Sequence, residues 1–310
     1  MKRVLTALVI VYTFSLLGEL GSLWWVFDLG SHWRVHYIIS GLILVLFYLL
    51  LKKRTLAAVA GIVAGIHLMI ISPYLQLTGG KNSTLELAES EPTMKVAFVN
   101  SYWMQPDMTQ LIAAIKEMQP DVVFLEELQP DQYEAVKAGL PEYPFSYHES
   151  VSYAFDMGVF SRIPVDAVKP HYFVPNVPTL EVSVTLGDKT TKLIGVHPYS
   201  PVSQEFTQKR NELLVELFDY TNKQTDTTVM GGDFNITQFS PVFREVTKNA
   251  RLIDTQKQFP LENTWPTHVP KFLAIPIDQV FVSPDVKVLE RYRGPNTGSD
   301  HWPLVVKVAL

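Results

Sequence analysis

Three apolar stretches near the start of the chain restrict its folding more than any other feature. Val4–Phe27, Val35–Leu51 and Leu56–Leu77 each run for roughly 17–24 residues, and a helix needs about 20 to cross the hydrocarbon core of a bilayer. The expectation is three transmembrane helices over 4–27, 35–51 and 56–77, the middle one spanning with little tilt. Trp24, Trp25, Trp33 and Tyr74 fall near the ends of these stretches, where amphipathic rings favour the interface.

Orientation follows from the cations. Lys2 and Arg3 precede the first stretch and Lys52, Lys53 and Arg54 follow the second, while the loop between them holds Arg34 beside Asp28. The positive-inside rule places the N-terminus and the Lys-Lys-Arg loop in the cytoplasm, and a third span then puts everything after Leu77 outside. A cleaved signal peptide fits less well. The first stretch carries Glu19, lacks a small-residue cleavage site and is soon followed by two more spans. Glu19 and His67 are ionisable groups inside these stretches and could mark an ion path. Three helices rarely build a transporter, so we read Glu19 at the outer end of its helix and His67 as bonded to a neighbouring helix.

The remainder is different material. Residues 78–93, TGGKNSTLELAESEPT, have linker composition, and 94–310 is long enough for one domain with a sizeable core. Seven of the 26 Lys and Arg and four of the 31 Asp and Glu precede residue 91, leaving 19 against 27 and a net charge of about −8 on the rest. A protein held to duplex DNA by general electrostatics is usually basic. With no cysteine the chain has neither disulfides nor thiolate metal sites.

Within 94–310, strand-like and helix-like segments alternate. Strands are predicted at 95–100, 122–125, 157–161, 181–186, 192–196, 229–231 and 279–282, with helices at 108–118 (capped by Asp107), 203–220 and 241–249. Polar residues recur where the apolar runs stop: KVAFVN (95–100), PDVVFLEEL (120–128), KLIGVHPYSP (192–201), TTVMGGDFN (227–235), IDQVFVSP (277–284) and GSDHWPLVV (298–306). A buried sheet tolerates acids and amides only at its rim, so these ends suggest one shared mouth. Carboxylates, amides and imidazoles without a paired nucleophilic Ser or Cys suit a hard cation, an attacking water and an anionic phosphate.

In this order and with helix-sized gaps, the six segments resemble the endonuclease/exonuclease/phosphatase superfamily, over roughly Met94 to Leu310. The resemblance implies an α+β fold, a four-layer α/β/β/α sandwich of two packed mixed sheets flanked by helices, here preceded by the three transmembrane helices. It also implies a divalent cation, Mg²⁺ or Mn²⁺, held by Glu127 and Asn100. Glu126 then stands where the family has Gln, and alternation along a strand sends Glu126 and Glu127 to opposite faces. Asp233 would deprotonate the attacking water, Asn235 would donate its amide to a phosphate oxygen, and His197 would donate to a second. His301 would contact the scissile phosphate with Asp278 on its other ring nitrogen, and Asp300 would join the metal or nucleophile shell.

The expected activity is hydrolysis of a phosphodiester or phosphomonoester by a multi-pass membrane protein with its catalytic domain on the extracytoplasmic side. The bilayer and the phosphoester are its expected partners, and no obligate protein partner is evident. Topology and acidic charge lean towards a lipid head group or a small phosphoester. A nuclease and a catalytically inactive membrane-bound binding module are the alternatives.

Overall fold

A computed structural model describes residues 2–75 and 92–310. Most of the predicted linker, 78–91, and the last two residues of the third apolar stretch lie outside the described residues. The chain divides into two compact units, one of residues up to Leu75 together with Thr237–Lys248, the other of the remaining residues.

In the first unit, α1 (Lys2–Thr13) continues as a 3-10 turn to Leu20, α2 spans Trp25–Ser31, α3 Arg34–Leu50 and α4 Arg54–Ile71. Among the described residues two helices, Lys2–Leu20 and Arg54–Tyr74, are long and apolar enough to cross a membrane. A third is obtained if α2 and α3, bent by 66°, count as one span. The first stretch therefore does not run unbroken to Phe27 as expected. Gly18 and Gly21 let the α2 backbone fold back against the 3-10 turn, since a Cβ on either would lie within 2.9 Å of the Cα of Ser31 or Asp28. Hydropathy alone reads this reversal as continuous apolar chain.

The second unit begins with β1 (Thr93–Asn100), α5 (Thr109–Met118), β2 (Val122–Glu126), α6 (Pro130–Gly139), β3 (Phe145–Glu149) and β4 (Met157–Ser161). There follow β5 (Ala167–Val174), β6 (Val177–Leu186), β7 (Lys189–Val196), α7 (Gln204–Asn222) and β8 (Thr227–Asp233). After α8 (Pro241–Thr247), which lies in the first unit, come β9 (Ile253–Asp254), β10 (Asp278–Val282), β11 (Lys287–Arg293) and β12 (Leu304–Ala309). They form two six-stranded sheets, ordered β11-β12-β1-β2-β4-β3 and β5-β6-β7-β8-β10-β9. Each is mixed, with β1 parallel to β2 and β7 parallel to β8.

Alternation decides which side chains meet. Val96 and Phe98 of β1 and Val122 and Phe124 of β2 join Leu180, Leu193, Val229 and Val280 of the other sheet in the central core. The intervening Ala97, Val99, Val123 and Leu125 face the other way and pack with Leu111 and Ile115 of α5 and Val136 of α6. The second sheet is covered by α7, whose Phe218 meets Phe281 of β10 edge-on at 5.1 Å. Ser203 caps α7 by accepting from the Phe206 amide at 3.1 Å. At α5 the helix starts one residue later than predicted, with Met108 in the cap position. Asp107 still serves that end by accepting from the Thr109 amide at 2.9 Å. The observed layers agree with the expected packing of two mixed sheets with helices.

Candidate active site

Each sheet ends a pair of neighbouring strands in polar residues. Asn100 closes β1 and is in register with Glu126 at the end of β2; Asp233 closes β8 and is in register with Asp278 at the start of β10. His197 follows β7 directly, and His301 precedes β12 by three residues. All six are at least nine-tenths buried, whereas the neighbouring Glu127 side chain is 15% exposed.

These groups surround one oxygen. Asp233 Oδ2 lies 3.5 Å from the Asn100 amide nitrogen, 3.5 Å from His301 Nε2 and 3.7 Å from His197 Nε2. Its other oxygen accepts from the Asn235 amide at 2.8 Å. His301 Nδ1 is 3.1 Å from Asp278 Oδ2, and His197 Nε2 is 3.6 Å from Glu127 Oε1. Asp233, Asp278 and His301 present ligand atoms that all lie within 4.8 Å of one another.

The two adjacent glutamates both reach the site, against the expectation that alternation would send them to opposite faces, because Glu127 falls past the end of the strand. Glu126, in phase with Phe124, turns inward and is fully buried, and neither carboxylate oxygen has a hydrogen-bond partner among the described residues. Glu127 lies beyond the strand with φ of 58°, which swings its carboxylate back to the Asn100 amide at 3.0 Å and the Trp103 backbone N–H at 3.1 Å. Gly232 passes closely over Glu126: a Cβ there would be 2.8 Å from Glu126 Oε1, and its φ of 139° suits glycine.

Asn235 takes φ of 53°, and its side-chain amide donates to the Pro198 carbonyl at 3.0 Å, leaving its second N–H for another acceptor. Asp300 is placed differently from the others. Its Oδ2 accepts from the Trp265 indole at 3.1 Å, and it is not in the close Asp233–Asp278–His301 group. Two residues absent from the expected set support the site. Trp265 lies 6.4 Å from the His301 ring, and fully buried Arg210 of α7 donates from Nη1 to the Asn235 carbonyl at 3.0 Å. The sequence signal for Trp265 was the Thr-Trp-Pro segment; an arginine inside an amphipathic helix gave none.

Burial governs the electrostatics. It pushes Asp233 up, and Asp278 and Glu127 push the same way against the pull of His301 and the Asn235 N–H. For His301 burial alone would lower the pKa, but the carboxylates of Asp278 and Asp233 overcome it and hold the ring cationic. Burial lowers His197, with His301 acting in the same direction and Glu127 opposing. Burial drives Glu126 well above the ordinary carboxylate range, aided by Asp278 and Asp233. Four acids thus meet two imidazoles in a largely buried place. The oxygen-rich donor set, with a buried Glu126 carboxyl lacking a partner, fits a hard divalent cation.

A stability test of Glu126 follows. A carboxyl with a folded pKa raised above its ordinary 4.5 withholds stability once the unfolded chain can ionise, so its cost grows as pH rises above that value. Glu126→Gln keeps the shape without the charge. It should raise the melting temperature at neutral pH by about 2–4 °C per kcal/mol of relieved cost, and by less near pH 4. A pH-independent difference between the two proteins would refute the assignment.

Residues 98–301, well over half of the chain, match the Endonuclease/Exonuclease/phosphatase family. No curated protein matches the chain in sequence. Among solved structures, D. rerio TDP2 complexed with single strand DNA product is similar at TM-score 0.61 and 19% identity, covering 71% of this chain and 100% of that one. The endonuclease/exonuclease/phosphatase from Bacteroides vulgatus is similar at TM-score 0.60 and 18% identity, covering 71% and 100%. A functionally unknown conserved protein from Enterococcus faecalis V583 is similar at TM-score 0.58 and 16% identity, covering 70% and 99%. At these identities the likeness concerns the fold. With the family match over the segments that carry the polar strand ends, the chain belongs to the endonuclease/exonuclease/phosphatase family, whose members are generally divalent-metal-dependent hydrolases of phosphoester bonds.

Proposed function

We propose that the protein is a membrane-anchored phosphoesterase that hydrolyses a phosphoester with an activated water, its catalytic region on the extracytoplasmic side. The observation that carries this reading is Asp233 Oδ2, a carboxylate oxygen ringed by one amide and two imidazoles while its partner oxygen is held by the Asn235 backbone. Such an oxygen is fixed in direction and free to take a proton from water.

The roles of the side chains follow from their partners. Asp233 orients and deprotonates the nucleophile. His301, kept cationic by Asp278, donates from Nε2 to the phosphate, where negative charge grows in the transition state. Asn235 supplies its remaining amide N–H, and His197 donates from Nε2 to another oxygen. Glu127 and Asn100 would hold Mg²⁺ or Mn²⁺, with Asp300 near the same shell. When bound, the cation polarises the phosphoryl group.

A lipid head group or small phosphoester is the favoured substrate. The spanning helices keep the chain at a bilayer, the acidic catalytic region discourages polyanions, and Trp103 and Met104 are exposed on the loop whose backbone binds Glu127. Those side chains suit an amphiphile more than a water-soluble ester. The second reading, a nuclease, is favoured by the likeness to TDP2 solved with a single strand DNA product.

The test is hydrolysis by the full chain in detergent or lipid nanodiscs. Bis-p-nitrophenyl phosphate, single-stranded DNA and sphingomyelin would each be offered with Mg²⁺ or Mn²⁺ and with chelator. Expected is turnover that chelation abolishes and metal restores, faster on the lipid than on DNA. DNA turning over faster would select the nuclease, and no metal-dependent turnover on any substrate would favour a binding module.

A further inference from the structure

The segment that leaves the Asp233–Asn235 turn is held by a buried polar network in the apolar helices. Arg34, at the start of α3, is fully buried and ion-paired with Glu19, which also pairs with Arg244 of α8 at 2.6 Å. Arg34 Nε donates to the Phe239 carbonyl at 3.2 Å, and its Nη1 lies 3.2 Å from His67 Nδ1. His67 is fixed in turn by Ser15, 2.7 Å from its Nε2. Two further bonds reach the same segment: Ser240 Oγ donates to Asp28 Oδ1 at 2.5 Å, and His32 Nδ1 lies 3.0 Å from Thr237 Oγ1. All these residues belong to the first compact unit, into which Thr237–Lys248 is gathered with the helices.

An anchor needs one bond, yet here four side chains from the helical region, Glu19, Asp28, His32 and Arg34, bind Thr237, Phe239, Ser240 and Arg244 of a segment distant in sequence. Arg34 cannot be there for solubility, because a buried guanidinium is costly unless its partners compensate it. The gripped segment starts at Thr237, two residues beyond Asn235. Asn235 itself is in a left-handed conformation uncommon for a non-glycine residue, with its carbonyl held by Arg210. The turn is thus pinned on one side by α7 and is continuous on the other with the gripped segment.

We propose that Glu19, Arg34 and Arg244 are positioning residues: through the 237–248 segment the membrane helices set the conformation of the Asp233–Asn235 turn. The helical region is then a part of the catalytic apparatus and not only a tether. The kinetic side of this inference rests on the phosphoesterase reading, whereas its structural side does not.

Arg244→Gln and Glu19→Gln in the full chain, in nanodiscs, test both sides. Arg244 is partly exposed, so Arg244→Gln is compatible with folding, and Arg244→Lys restores the charge. Amide hydrogen exchange of residues 234–240 should quicken by about tenfold or more in the Gln variants and return towards wild type in Arg244→Lys. With bis-p-nitrophenyl phosphate and Mn²⁺, kcat should fall about tenfold in Arg244→Gln at little change in melting temperature. In an Asn235→Ala background Arg244→Gln should have no further effect, because it acts through the turn. Unchanged exchange overturns the proposal, as does faster exchange with full kcat or with a loss that multiplies that of Asn235→Ala. If the wild type itself shows no turnover, the phosphoesterase reading falls, and the exchange result alone decides whether the ion pairs hold the turn.

Discussion

Asp233→Asn should yield a folded protein whose kcat is lower by about 10³-fold. Asparagine has the same shape and keeps the oxygen that accepts from the Asn235 backbone N–H, so the turn survives while the proton acceptor is lost. Stability should not suffer, because an acid whose pKa is pushed up to about 8 by burial is a cost to the fold near neutrality. The same shift gives the wild type an acid limb: a general base stops working once protonated, so kcat/KM falls as pH drops. A bound cation favours the ionised carboxylate, and the limb should therefore move to lower pH as metal is raised towards saturation. Stopped assays at several pH values and two metal concentrations read both effects. Near-normal turnover in Asp233→Asn would remove this residue from the mechanism.

Asp278→Asn should lower kcat by about 100-fold or more and change its pH dependence. His301 is raised to about 10 because Asp278 and Asp233 outweigh the effect of burial, so the ring stays cationic across the neutral range. The stabilising contribution of that pairing is complete below the ordinary pKa of about 6.5 and is lost as pH rises through about 10. Without the Asp278 charge, burial regains weight and the ring deprotonates earlier. The alkaline limb of kcat should then move towards neutrality, and rates below that limb should recover in part. A pH–rate profile of the variant that keeps the wild-type alkaline limb would show that Asp278 does not hold the charge on His301.

Much of this arrangement was legible in the residues, because strand ends leave a plain mark. An apolar run that stops at Asn100, at Glu126-Glu127 or at Asp233 can place those groups only at a sheet rim, but period-two alternation did not foresee the left-handed backbone that brings Glu127 back to the site beside Glu126. The family resemblance supplied the order and the expected layers. What escaped was set by partners far along the chain. The edge strands β3 and β5 are only half-buried, so their side chains lack the continuous apolar signature of β2 and β4. α6 buries only Gln132, Tyr133 and Val136 and is marked instead by the Gln129–Gln132 capping box. The break after Leu20 depends on two glycines that allow a close backbone crossing. Arg34 and Arg210 look like ordinary surface cations until the carbonyls they bind are known. Glu19 and His67 were expected to be structural; His67 does bond across to Ser15 and Arg34, while Glu19 also reaches Arg244.

The two halves of the site come from different sheets, and hydrocarbon sets the gap between them. Phe98 and Phe124 stack at 5.4 Å in the central core and press against bare backbone at Gly231 and Gly195 of the opposite sheet. A Cβ at Gly231 would come within 2.6 Å of Phe98, and one at Gly195 would collide with Phe124. Two benzene rings and two missing methyl groups therefore act as a gauge block for the distance from Asn100 and Glu127 to Asp233. A close-packed block of this kind yields little to compression, so moderate pressure should leave the reaction geometry almost untouched even where it loosens the surface.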